Sequence, residues 1–220
     1  LLKKFSKREY EIKVVFLATG IMARRSNDYN NSGKYNINDK LANDMEKQIR
    51  YLQEDAKKAL SLLDIKNIQF EDFPDNEMDM ISNLEITKKI ETIIDEFGPD
   101  TVYTHSQHDI NVDHRQICDA VITATRPKKN SSVKEVISFE VPSSTEWYFP
   151  QKFSPNIFVD ISKELKFKLK AMQAYKNELR EFPHPRSIEA LEIIAKRWGT
   201  VCGFNAAEAF CLVRSLIKDN

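Results

Sequence analysis

Three short, β-rich apolar runs, each followed by a polar loop and then a helical stripe, limit the folds open to this chain. The runs are Glu11 to Ala18, Ile68-Gln69-Phe70 and Asp100 to Tyr103. The first holds the unbroken segment Val14-Val15-Phe16-Leu17, the pattern of a strand buried on both faces, as in a parallel sheet. Between Lys40 and Leu63 the residues Leu41, Met45, Ile49, Leu52, Ala56, Ala59 and Leu63 recur every three or four positions, which predicts an amphipathic helix. Leu84, Ile86, Ile90, Ile93, Ile94 and Phe97 predict a second, stopped by Gly98-Pro99. A third is expected from Arg115 to Ala124. Strand, helix, strand, helix predicts an α/β fold, and right-handed crossovers make it a Rossmann-like three-layer α/β/α sandwich with a mostly parallel sheet.

The rest of the chain extends the pattern. Val133 to Val141 and Asn156 to Ile161 read as strands. Ser162 is placed to cap a helix carrying Leu165, Leu169, Met172, Tyr175 and Leu179, and Ser187 the next, which ends at Gly199. Ala206 to Ile217 reads as a final helix. There is no repeat, low-complexity tract or linker, so residues 1–220 are expected to form one domain. Neither GxGxxG nor Walker A occurs, which leaves dinucleotide and P-loop readings without support.

Charge excludes further classes. Lys+Arg and Asp+Glu both number 33, so no net field draws nucleic acid or an anionic membrane. No apolar run is long enough to span a bilayer. Cys118, Cys202 and Cys211 are an odd set without CxxC spacing, read as reduced thiols of a cytoplasmic protein. A homo-oligomer stays open.

Chemistry concentrates in Thr104-His105-Ser106-Gln107-His108-Asp109-Ile110-Asn111-Val112-Asp113-His114-Arg115. It holds three of the four histidines and follows a strand, where open α/β sheets place their ligands. Three imidazoles with interleaved carboxylates suit a metal site with room for a water. A solvated polar loop is the plain alternative, and for His105 simple capping of backbone groups is another.

These residues also carry a resemblance. Pro99 to His105 followed by Asp109 to Arg115, Phe73-Pro74-Asp75-Asn76, Thr19-Gly20 with Arg24-Arg25, Glu140 to Trp147, Pro183 to Ser187 and Gly203 to Phe210 together resemble the PIG-L/LmbE family of zinc-dependent N-acetylglucosaminyl de-N-acetylases. The resemblance covers essentially the whole chain. It implies a hydrolase that removes the acetyl group of an N-acetylated amino sugar in glycan, nucleotide-sugar or glycolipid synthesis. His114 would be a Zn²⁺ ligand, and Asp113 would orient it or another imidazole. The family's acid position is occupied by Asn111, which donates a hydrogen bond but moves no proton, so that role would pass to His108, His105 or His184. Arg24, Asp75, Asn76, Glu146, Trp147 and Arg186 are the expected sugar and phosphate contacts.

The family's Pro-His-Pro-Asp-Asp-Glu hallmark, which supplies two zinc ligands and the general base, does not occur in these 220 residues. The chain opens Leu-Leu-Lys-Lys-Phe, read as the end of a helix just after that motif. The expectation is therefore a domain whose first strand lies before Leu1, the complete Zn²⁺ site needing ligands from there. The alternative is an inactive sugar-binding paralogue without a complete site. The family's Arg-x-x-Glu pair on the first long helix is out of register, with Asp55 at the Glu position and Arg50 displaced.

Overall fold

The structure, a computed structural model, describes residues 1–21 and 39–217. A short helix, α1 (Leu2–Ser6), leads into β1 (Lys13–Ala18). Then follow α2 (Asp39–Leu62), β2 (Asn67–Phe73), a 3-10 turn (Met78–Met80), α3 (Asn83–Phe97), β3 (Thr101–His105) and α4 (Val112–Ala124). The remainder is β4 (Glu135–Phe139), a 3-10 turn (Thr145–Trp147), β5 (Ile157–Asp160), α5 (Leu165–Ala174), α6 (Ile188–Cys202) and β6 (Ala207–Ser215).

The predicted stops act as physics requires. Gly98 takes the left-handed conformation at φ 65° and returns its N–H to Ile94 O, ending α3 ahead of Pro99. Ser187 caps α6 by accepting the Ala190 N–H. The apolar stripes of α3 (Ile86, Ile90, Ile93) and α4 (Ile117, Val121) meet Leu17 of β1 and Val136 of β4 in the main core. Each such side chain contributes about 2 kcal/mol by leaving water. A second apolar group joins α6 through Trp198 to Ala207 and Ala209 of β6. Among the described residues no helix is long and apolar enough to cross a membrane.

The sheet corrects the expected topology. It is mixed rather than mostly parallel, and it comes in two pieces. β1 pairs with β2 in parallel, and a second sheet has the order β3-β4-β6-β5. There β3 and β4 are parallel, but β6 runs antiparallel to both β4 and β5. The helix expected over 206–217 is this strand. Ala207, Ala209 and Phe210 are buried between two partners that leave room only for extended backbone. Tertiary pairing thus overrides a local pattern compatible with either state.

Ser162 is not a helix cap. Its hydroxyl donates to Asp160 Oδ1 at 2.5 Å and accepts the Ala206 N–H, tying the exit of β5 to the entry of β6. Helix α5 consequently starts later and ends before Tyr175 and Leu179. At the opposite corner Gly199 lies inside α6, and a Cβ there would sit 2.4 Å from Phe204 O.

Candidate active site

The carboxyl ends of β2, β3 and β4 converge on the first turn of α4. Asn111 is the N-cap of that helix. Its side-chain oxygen accepts the N–H of Asp113 at 2.8 Å and of His114 at 3.4 Å. The cap fixes where Asp109, Asp113 and His114 point.

Asp109 is fully buried and is the hub. Its Oδ2 lies 3.1 Å from Nδ1 of His114 and accepts the hydroxyls of Ser144 and Thr145, each at 2.9 Å. Its Oδ1 accepts the Asn111 N–H at 2.8 Å. Burial alone pushes the carboxyl pKa up; the bonds from His114, the Asn111 N–H and Thr145 outweigh it and hold the group below its usual value. With Nδ1 of His114 on a buried carboxylate, Nε2 is the nitrogen left for other chemistry. The ring is partly exposed and lines a cavity of about 1050 Å³. Beneath it His105 stacks at 4.1 Å between ring centroids, its planes 11° apart. Burial, reinforced by His114, drives the His105 pKa down to about 3, so this imidazole is neutral. Its Nδ1 is buried without a hydrogen-bond partner.

Asp113 does different work. Its two oxygens accept the backbone N–H of Asn76 at 2.6 Å and of Met78 at 3.0 Å, pinning the loop after β2 against α4. Burial raises its pKa against the pull of those two N–H groups, and the nearby Asp75 charge raises it further. It orients a loop, whereas the orienting of His114 falls to Asp109. The sequence placed Asp109 in this loop without giving it a role. The signal was its register: the loop after the neighbouring strand β4 carries Ser143-Ser144-Thr145, a set of hydroxyls that needs an acceptor opposite.

The other expected site residues are divided. Asp75, Asn111, Asp113 and His114 line the cavity. His108 is not among the lining residues; its ring packs against Tyr148 at 5.8 Å, and its backbone N–H bonds Ser106 Oγ. His184 also lies off the wall. Its Nδ1 accepts the Arg186 N–H at 3.0 Å, and its ring meets Trp147 edge-on at 5.7 Å. Burial, then Arg186 and Arg180, lower its pKa. Glu146 spends its carboxylate on the N–H groups of Ser143 and Ser144, at 2.7 and 3.1 Å. Arg186 pairs with Glu178 at 2.6 Å. Trp147 is 44% exposed and free to stack on a ligand. Arg24 lies outside the described residues.

His114 fits one position of a zinc site, since a ligating imidazole characteristically gives its second nitrogen to a carboxylate. Among the described residues no three His, Cys, Asp or Glu side chains form a group able to hold a metal ion. Of the residues described, His114 is one that could hold such an ion.

The model of the PIG-L family, described as GlcNAc-PI de-N-acetylase, matches residues 1–125. No curated protein sequence matches the chain. Several solved structures share the fold. The N,N'-diacetylchitobiose deacetylase of Pyrococcus horikoshii superposes with a TM-score of 0.70 at 19% identity, over 97% of this chain and 76% of that one. The zinc-inhibited form of a teicoplanin deacetylase gives 0.71 at 17% identity, over 97% and 91%. The 4-carboxy-2-hydroxymuconate hydratase of Pseudomonas putida gives 0.66 at 19% identity, over 100% and 90%. The last shows that this scaffold also carries chemistry other than deacetylation.

Proposed function

The chain belongs to the PIG-L family of GlcNAc-PI de-N-acetylases, and on that premise we propose that it hydrolyses the N-acetyl amide of an N-acetylated amino sugar in a bacterial cytoplasm. The observation that carries this reading is the buried Asp109–His114 pair at the strand ends, its imidazole facing the cavity. Zinc is the cofactor the family implies, and His114 is the residue of this chain that would hold it. When bound, the metal polarises the amide carbonyl and acidifies a water.

The chain's own groups have separable tasks in this reading. Asp109 holds the proton on Nδ1 of His114 and so keeps the Nε2 lone pair toward the cavity. Asn111 spends its oxygen on the cap, leaving the Nδ2 hydrogens to donate to a carbonyl oxygen as it gains charge. Asp113 presents Asp75 and Asn76 to the sugar by fixing their loop. Trp147 offers an aromatic face to a pyranose ring, with His184 packed at its edge; His184 and His108, the expected acids, both stand off the cavity wall and are given no proton transfer at the amide in this reading. Glu146 and Arg186 shape the loops around that face through the Ser143, Ser144 and Glu178 contacts.

A second reading is a sugar-binding paralogue that does not turn over. It is favoured by the lack of a three-ligand group among the described residues. Zinc content and acetate release from N-acetylglucosamine conjugates, with and without chelator, separate the two. The enzyme reading expects zinc-dependent acetate release that His114→Ala abolishes. Saturable binding of the conjugate with no acetate released in zinc-replete protein would establish the paralogue instead.

A further inference from the structure

The geometry points to an oxyanion subsite beside Trp147, built from Arg186, His184 and Arg180, so that the sugar this chain binds carries a phosphoryl or carboxylate group. The inference rests on the amino-sugar reading above and names the class of sugar.

Its main support is an unfinished guanidinium. Arg186 gives Nη1 to Glu178 Oε2 at 2.6 Å. Its Nε is buried and has no hydrogen-bond partner. Nη2 has none either among the described residues, and it is not enclosed. Nε–H and one N–H of Nη2 lie parallel on one edge of the guanidinium, the edge that grips an oxyanion with two bonds. A buried donor without an acceptor is rare in a folded protein and calls for one. A lone sugar hydroxyl would meet one of these two donors and leave the other unmet.

The turn that carries Arg186 adds a second kind of donor. His184 Nδ1 accepts the Arg186 backbone N–H at 3.0 Å, so in the neutral ring the proton is on Nε2. The turn is held at both ends. The His184 N–H donates to Glu181 O at 3.0 Å, and His184 O accepts the N–H of Ser187, whose hydroxyl caps α6. The donors are therefore positioned before any ligand arrives.

Charge and place agree. Arg180 gives Nη1 to the carbonyls of Asn177 and Leu179 and has no carboxylate partner among the described residues, and its charge is felt at His184. Of the nearby carboxylates, Glu178 is on Arg186, Glu146 is on the N–H groups of Ser143 and Ser144, and Glu181 is exposed to water. The His184 ring meets Trp147 edge-on at 5.7 Å. Ser144 Oγ lies 3.4 Å from Nδ1 of His114, and the three residues from there to Trp147 span at most about 11 Å. A sugar on the Trp147 face thus has His114 within reach on one side and the Arg186 turn on the other.

The test is calorimetric titration of the whole chain in chelator, which separates binding from turnover. The ligands are N-acetylglucosamine 1-phosphate, methyl N-acetylglucosaminuronate as its free carboxylate, and uncharged methyl N-acetylglucosaminide. At least one charged ligand is expected to bind about tenfold or more tighter than the uncharged one, and the better of the two assigns the group. Arg186→Gln should erase that preference, and Arg186→Lys, which keeps the charge without the fork, should restore it only in part. Glu178→Gln should keep the preference; if Arg186 merely ties its turn to Glu178, both substitutions would act alike, and that result would overturn the subsite. Equal affinity for charged and uncharged ligands would overturn it too, as would binding of none. Acetate release from zinc-replete protein without regard to charge would remove the subsite and leave the deacetylase reading standing. Charge-selective binding without acetate release would do the reverse.

Discussion

Two loops meet the first turn of α4, and each is held by one buried aspartate. Asp109 holds the loop after β4 through the hydroxyls of Ser144 and Thr145, and Asp113 holds the loop after β2 through the N–H groups of Asn76 and Met78. The residue type, burial and helix end are the same, yet the consequences differ. Asp109 spends part of one oxygen on an imidazole that faces the cavity; Asp113 spends both oxygens on backbone. Their pKa values are displaced in opposite directions, Asp109 down and Asp113 up. The role of a buried carboxylate is thus set by its donors: a side chain that can act on a ligand makes it part of a reactive site, and backbone alone makes it a clamp.

The strongest way to break this comparison is to remove the imidazole. His114→Ala is expected to lower acetate release by about 1000-fold or more, since it deletes the group that both aspartates frame. If Asp113→Asn cost as much, the division of labour would be wrong. Asp109→Asn is expected to cost about 10–100-fold in activity or metal affinity, because an amide can hold the ring in the wrong tautomer. Asp113→Ala should act chiefly on stability. It strands the buried Met78 N–H and the part-buried Asn76 N–H and is expected to cost about 2 kcal/mol in denaturant melts, with turnover at low temperature within a few fold of the parent.

The pH response sharpens the same contrast. Asp109, whose folded pKa is lowered, contributes stability present above the unfolded carboxylate pKa and lost as pH falls through the folded one. Asp113, whose folded pKa is raised, is penalised as pH rises from the unfolded value through the folded one. In chelator-treated protein, the stability difference between parent and Asp109→Asn should grow from about pH 3 to pH 7, and that for Asp113→Asn should shrink. Parallel slopes in urea melts across this range would refute the assignment. The smallest expected effects are those of Ser144→Ala and Thr145→Val, about 1 kcal/mol each in the same melts.

Much of this site was legible in the sequence because it is local. Asn111, Asp113 and His114 fall within one helical turn, and a strand before a polar stretch before a helix names the place where they meet. Asp109 could be placed but not assigned, because its partners at Ser144 and Thr145 lie 35 and 36 residues on and become neighbours only through the β3–β4 ladder. The early strands and helices were legible for the reason of period, two against 3.6. β6 was not. Ala207-Glu208-Ala209-Phe210 fits either period, and only the vacant edges of β4 and β5 decide for extension. His108 and His184 share a residue type with His114 but not its register, and composition cannot show register.

The contact at Gly199 has a consequence for how this sequence can vary. The carbonyl of Phe204 occupies the space where a methyl group would stand, and Ala206 closes in at 3.0 Å from the same point. The obstacle is backbone, which no rotamer change relieves. Alanine, the residue helices tolerate best, is therefore the wrong choice at this helical position, even though glycine costs a helix about 1 kcal/mol. A saturation library selected for folded protein should return an almost empty column at 199, between columns on the outer face of α6 that accept most residues. The chain's route from α6 into its antiparallel strand passes through one position where variation has no second option.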